Sequence, residues 1–365
     1  MRPAVLRFRL LDRLRGLSQP RTATCRRVRI SPQVQLQHHP TGGVSLAGLH
    51  TCGSVWACPV CAGRIYAERA LEVTQAVRIW NGVGGKTYML TLTVRHGDGD
   101  HLRELRVRLA LAWRYFNQGR EAQERTARYG IKYSIRALEL THGDVNGWHP
   151  HLHILLMSTR TLDDFHQAEI AQAWQQAVWR AFGGTNIPDL EHGVKLTRTL
   201  DEDGKGRTDY LAKLGLEIAA ITTKQGLLGS RTPWQVAEAA AQGERKGHDA
   251  KLWQNYTAAL KGARQLTWSR GCKRFFGLVE REDDELASDG VPVVEGVGGV
   301  LAEWSGAEWD RGCWRFRTWT ADVVAAAFAE FKFSALDKLG GVKATSPPGL
   351  VFGSPCEVSG IASDV

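Results

Sequence analysis

The spacing of apolar positions along this chain changes period several times, and each change marks an element. Between residues 62 and 80, Ile65, Ala67, Ala70, Leu71, Val73, Ala76, Val77 and Ile79 recur at helical spacing, and Gly82-Val83-Gly84-Gly85 ends the run. Tyr88-Met89-Leu90-Thr91-Leu92-Thr93-Val94 then alternates as a strand does, and residues 102–115 return to the helical period. Two strand-like runs at 134–140 and 151–156 flank Gly143-Asp144-Val145-Asn146-Gly147, which is dense in turn formers, so residues 133–157 predict a β-hairpin. Residues 161–182 predict a helix with Asp163 and Asp164 in its first turn, where acids suit the positive end of the dipole. A strand is expected at Val194-Lys195-Leu196, and Thr208 is placed to cap a helix reaching about Ala220. Residues 231–278 read as helical and basic; from Glu280 the chain turns acidic and then rich in glycine and valine.

Strands alternating with helices around an antiparallel hairpin predict an α+β fold with a ferredoxin-like sheet rather than a doubly wound one. The expected division is a basic arm and zinc module over 1–80, a catalytic domain over 81–228, a basic helical extension over 229–284 and an accessory C-terminal region over 285–365. Within the last of these, Trp304, Trp309, Trp314 and Trp319 recur every five residues. No regular element puts that spacing on one face, so they are expected as core and strand residues of a small subdomain rather than as a ladder for stacked bases. The tail after Thr345, with its prolines, serines and glycines, is expected to be mobile.

The hairpin carries the first candidate chemistry. His151 and His153 flank one apolar residue and therefore point to one face of their strand. If the turn centres near Val145, Glu139 lies across from His151 on that same face, and a slip of one residue would break the arrangement. Two imidazoles and a carboxylate around open positions suit a divalent ion acting as a Lewis acid on a phosphoryl oxygen, and equally a non-haem iron centre. The plainer alternative is that the three side chains only pair with one another.

Composition narrows the choice. The formal charge is +9 over 365 residues, and the first thirty carry nine arginines against Asp12 alone. A polyanionic partner follows, with Arg26 and Arg27 in the arm and Arg264, Trp268, Arg270 and Lys273 in the later basic stretch as candidate contacts to nucleic acid. No apolar run reaches the length of a membrane span and the N-terminus lacks a secretory pattern, so a cytoplasmic location is expected. Seven cysteines make an odd disulfide set. Cys52-x5-Cys58-x2-Cys61 supplies three thiolates for one structural zinc, with Cys25 favoured over His50 as the fourth ligand and a redox-active Cys-x-x-Cys as the alternative.

Tyr210, Lys213 and Glu217 fall on one face of the helix expected after Thr208. An ammonium one turn from a tyrosine favours its phenolate and can bind a phosphate, and a phenolate can attack phosphorus to form a covalent intermediate.

Three motifs in this order, Met89-Leu90-Thr91-Leu92-Thr93, then Gly147-Trp148-His149-Pro150-His151-Leu152-His153, then Tyr210-Leu211-Ala212-Lys213, resemble those of HUH-type rolling-circle replication initiators. The stretch from Cys52 to Cys61, and Leu252-Trp253 through Leu266-Thr267-Trp268-Ser269-Arg270-Gly271, resemble the plasmid Rep proteins of actinobacteria. The likeness covers about residues 20–278. It implies a ferredoxin-like HUH endonuclease core, origin DNA as substrate, and Tyr210 as the nucleophile that nicks one strand, keeps the 5′ phosphate and frees a 3′ hydroxyl. It further implies manganese or magnesium on His151, His153 and Glu139, Lys213 steadying the phosphate, and a host helicase and DNA polymerase as partners. Some relatives place a glutamate four residues before the tyrosine; here that position is Gly206, with Asp203, Asp209 or Glu217 as substitutes. A relaxase or transposase of the same class and a non-catalytic zinc-containing regulator are the competing readings, and no phosphate loop marks an attached helicase.

Overall fold

The computed structural model describes residues 3–38, 44–199, 229–243, 247–288, 300–315, 318, 320–321 and 323–324. In chain order the helices are α1 (Pro3–Leu14), α2 (Pro20–Ala23), α3 (Pro59–Gly82), α4 (Leu102–Phe116), α5 (Gly119–Arg128), α6 (Asp164–Phe182), α7 (Pro233–Gln242), α8 (His248–Ala259), α9 (Cys272–Phe275), α10 (Asp283–Ala287) and α11 (Gly306–Arg315). The strands are β1 (Gln33–His38), β2 (Val44–Ala47), β3 (Lys86–Leu92), β4 (Ile131–Gly143), β5 (Gly147–Ser158), β6 (Val194–Arg198), β7 (Ser230–Arg231), β8 (Leu266–Trp268) and β9 (Val300–Ser305). Two compact units emerge: residues 1–64 together with 282–365, and residues 65–281. Among the described residues no helix is long and apolar enough to cross a membrane.

The larger unit is a mixed α+β structure on an antiparallel sheet of order β6-β3-β5-β4-β7, with β8 also paired to β4. Helices cover both faces, which is why β3 and β5 are buried along nearly their whole length instead of alternating cleanly between apolar and polar. On one face Leu90, Leu152, Ile154 and Leu156 pack against Leu105, Leu109 and Phe116 of α4 and Ile170, Trp174 and Val178 of α6. On the other, Met89, Leu155 and Met157 meet Val73, Val77 and Trp80 of α3, with Cys272 and Phe276. Two features set α6. Asp163 accepts from the His166 backbone N–H while the His166 ring accepts from the Asp163 N–H, a capping box closed by a histidine, and Trp174 Nε1 donates to Thr93 O at 2.7 Å.

Hairpin β4–β5 turns through Asp144, Val145 and Asn146, closed by the pair Gly143 and Gly147. Gly147 sits at φ +67, where the three-residue turn needs a left-handed residue. The stretch 231–278, read from sequence as helical throughout, contains β8: Leu266 and Trp268 are held by pairing with Ala137 and Ile135, a tertiary constraint that local periodicity does not carry.

The smaller unit joins the N-terminal residues to the stretch expected as a separate accessory region. Strand β9 pairs antiparallel with β1 in a sheet of order β2-β1-β9, and Trp304, Trp309 and Cys313 share a core with Val5, Val34, Leu36 and Leu46. Trp304 and Trp309 are therefore core residues as expected, whereas Trp314 is 89% exposed because α11 turns that position outward; Trp319 lies outside the described residues. The arginine-rich arm is folded. Arg15 donates to Ala23 O and Cys25 O, Arg21 pairs with Asp284, and Arg29 pairs with Asp310.

Candidate active site

Strand β5 is central, and the side chains of His149, His151 and His153 emerge from one face of it. The hairpin register pairs Glu139 directly with His151, which brings the carboxylate between the two imidazoles. Glu139 Oε2 lies 2.8 Å from His153 Nε2 and 3.5 Å from His151 Nε2. One ligand atom from each of the three residues falls within 4.8 Å of the others, a group able to hold a metal ion.

The outer nitrogens of both rings are occupied. His151 Nδ1 is 3.3 Å from His149 O, and His153 Nδ1 is 3.0 Å from Thr91 Oγ1 on β3. Such contacts turn both Nε2 atoms inward, the arrangement that metal-ligating histidines use. A carbonyl oxygen only accepts, so His151 Nδ1 is the donor of that contact. Two imidazoles and a carboxylate that converge in this way are a donor set that fits a divalent cation. Burial alone would raise the Glu139 carboxyl, but hydrogen bonds and charge from His151 and His153 outweigh it and hold the group well below its ordinary range, ionised.

His149 turns elsewhere: its Nδ1 is 3.0 Å from His96 Nδ1, and burial, with the charges of His151 and His96, pushes it down to about 3. It stays neutral and outside the three-residue group. Tyr210 and Lys213 lie outside the described residues, as do Asp203, Gly206, Asp209 and Glu217.

A second group lies in the smaller unit. Cys25, Cys52, Cys58 and Cys61 are all buried, with Sγ separations of 3.6 Å from Cys25 to Cys61 and 3.7 Å from Cys52 to Cys61 and from Cys58 to Cys25. These are far longer than the S–S bond of a disulfide, ~2.05 Å. They match the edge of a tetrahedron with ~2.3 Å metal–sulfur bonds, about 3.8 Å, so the four residues fit a closed tetrahedral site. Pro59 starts α3 directly after Cys58, with its missing N–H at a position that needs none, and so seats Cys58 and Cys61 at the helix N-terminus. The Cys52 and Cys61 backbone N–H groups point at Cys25 Sγ and Cys58 Sγ at 3.4 and 3.5 Å. Hydrogen bonding from Cys25, Cys52 and Cys58, with Arg26 nearby, holds the Cys61 thiol well below its usual range, while burial pushes Cys58 well above it. His50, the other candidate for fourth ligand, contacts Thr24 Oγ1 instead at 3.1 Å.

The expected nucleic-acid contacts divide. Arg264 and Arg270 are exposed and Trp268 is half-buried. Arg26 is buried, donating to Leu46 O and Ala287 O; Arg27 donates to Cys313 O; and Lys273 is buried against Glu72, with Nζ 3.3 Å from Oε2. Arg26 and Lys273 are internal braces, and half-buried Arg27 is tied to a backbone carbonyl; a buried charge needs such a partner, so these side chains are committed within the fold. Sequence reasoning also left Thr91 without a role, although the motif containing it was visible; its partner belongs to another strand, 62 residues away.

Among known proteins, residues 44–298 match the family described as "Replication protein". "Protein rep" of Streptomyces lividans is 30% identical over 305 residues, covering 66% of this chain and 67% of that protein. A "Neomycin resistance protein" of Streptomyces cyanogenus is 34% identical over 145 residues, 33% of either chain. No solved structure matches.

Proposed function

This chain belongs to the replication protein family, and we propose that it starts rolling-circle replication of a plasmid by nicking one strand of the origin as an HUH-type endonuclease with a ferredoxin-like core. The observation that carries this reading is the convergence of Glu139 with His151 and His153, each ring held from behind so that Nε2 faces inward. A manganese or magnesium ion held by these three residues supplies charge stabilisation at the scissile phosphate. Tyr210 is the nucleophile in this scheme. Its phenolate oxygen attacks phosphorus, the bond to the 3′ oxygen breaks, and the products are a tyrosine-linked 5′ phosphate and a free 3′ hydroxyl that primes synthesis. Lys213, one turn away, favours the phenolate and steadies the phosphate.

The four cysteines hold a structural zinc in the smaller unit, with no open position for chemistry. Arg264 and Arg270 contribute to the grip on origin DNA, with Trp268 beside them, and a host helicase and polymerase extend the nick. Incubation of the full chain with a single-stranded origin oligonucleotide and manganese, followed by mass spectrometry, tests the scheme. A 5′ fragment on the peptide containing Tyr210 is expected, absent in Tyr210→Phe. His151→Ala or His153→Ala is expected to abolish nicking and leave duplex binding largely intact. Cleavage by Tyr210→Phe would remove Tyr210 as nucleophile, and binding without cleavage by the wild type would leave a non-catalytic DNA-binding protein.

A further inference from the structure

The two histidines of the candidate metal centre are held differently from behind, and the difference has chemical content. His151 Nδ1 faces the carbonyl of His149 at 3.3 Å, and a carbonyl can only accept. His153 Nδ1 faces the hydroxyl of Thr91 at 3.0 Å, and a hydroxyl can donate or accept. On the inner side His153 Nε2 stands 2.8 Å from Glu139 Oε2 and His151 Nε2 stands 3.5 Å from it.

We infer that Thr91 is a positioning residue whose hydroxyl fixes the His153 ring so that Nε2 faces the candidate ion site. Coordination through Nε2 puts the ring hydrogen on Nδ1, and the Thr91 hydroxyl is the group placed to accept it. An apolar side chain in the place of Thr91 would leave that ring nitrogen without this contact and the ring less firmly oriented. Register makes the pairing possible, because Thr91 lies directly opposite His153 in the β3–β5 ladder. This gives a function to a motif that was visible in the sequence but unused by the nicking scheme.

The inference rests on the metal reading of the previous section, and the test separates the two. Manganese binding to the full, zinc-loaded chain is measured by electron paramagnetic resonance for wild type, Thr91→Val, Thr91→Ser and His153→Ala. Thr91→Val is expected to weaken manganese binding by roughly 10–100-fold, the usual cost of losing an outer partner of a ligating histidine. Thr91→Ser, which keeps the hydroxyl, is expected to stay near wild type. Should Thr91→Val fail to fold, Thr91→Ala removes the same oxygen and carries the same comparison. Wild-type affinity in the oxygen-free variant overturns the role of Thr91. Undiminished manganese binding in His153→Ala overturns the metal centre itself, and the inference with it.

Discussion

Lys273 offers a sharp test, because its charge suggested a phosphate contact and its burial argues a different role. Its side chain is 3% exposed, and Nζ lies 3.3 Å from Glu72 Oε2 and 3.3 Å from Val279 O. The Glu72 carboxylate is itself 6% exposed and also serves Arg281 at 3.5 Å and Arg69 at 3.6 Å. Glu72→Gln keeps the shape and removes the charge, leaving the Lys273 ammonium with Glu280, 3.7 Å away and largely in water. Breaking one side of a buried pair costs about 3–5 kcal/mol. The remaining amide and Glu280 place this case near the lower end, which for a unit of this size is a fall of roughly 6–12 °C in Tm. Lys273→Met removes the ammonium with little change of volume and leaves Glu72 its two arginines, so the cost is expected below about 1.5 kcal/mol. The same variant should bind origin duplex with an unchanged salt dependence, whereas loss of a phosphate contact would lower the slope by about 0.9. Calorimetry of each variant, together with fluorescence anisotropy over a salt series, reads both quantities. A Glu72→Gln protein within about 1 kcal/mol of wild type, below the range for a broken buried pair, or a Lys273→Met protein with a slope reduced by nearly one, would refute the reasoning.

Other outcomes follow from the same structure. Arg264→Ala and Arg270→Ala, both at exposed positions, are each expected to lower the salt slope for DNA by ~1 without moving Tm, and an unchanged slope would remove them from the interface. Cys58→Ser with Cys61→Ser is expected to release one equivalent of zinc and lower the melting temperature, while His151→Ala keeps that zinc; metal analysis of the purified variants decides it. Zinc retention should fall as pH falls, because Cys58 is pushed up by burial and protons compete with the ion for its sulfur; a chelator titration at two pH values should show the weaker hold at the lower one. Gly53 sits at φ +62, and a Cβ there would strike the Asp284 side chain, so Gly53→Ala is expected to cost about 1–2 kcal/mol or more in thermal melts.

Much of the centre was legible along the chain. Residues 143–147 announce a turn, the flanking runs announce strands, and the period of two then puts Glu139, His151 and His153 on one face once the turn is centred. These are local signals, carried by neighbours in sequence. Helices α3, α4 and α6 were visible for the same reason, since the stripe each buries is written at helical spacing. Strand β8 was hidden because three residues hold no period, and β9 because its partner β1 lies some 265 residues earlier, where no local pattern points.

Charge was the least legible property. Arg26, Arg27 and Lys273 read as basic contacts by composition, yet the fold supplies each with a carbonyl or carboxylate inside it. Residue type and spacing therefore named the candidate donors of both groups, three sulfurs with Cys25 favoured over His50 in one and two imidazoles with a carboxylate in the other, together with the hairpin that aligns the second. Tertiary structure decided what stands behind those donors. Cys25 reaches Cys61 across 36 residues, and Thr91 reaches His153 across a strand boundary, because a ladder between distant strands positions side chains by register, a relation that neither the spacing nor the chemistry of neighbouring residues encodes.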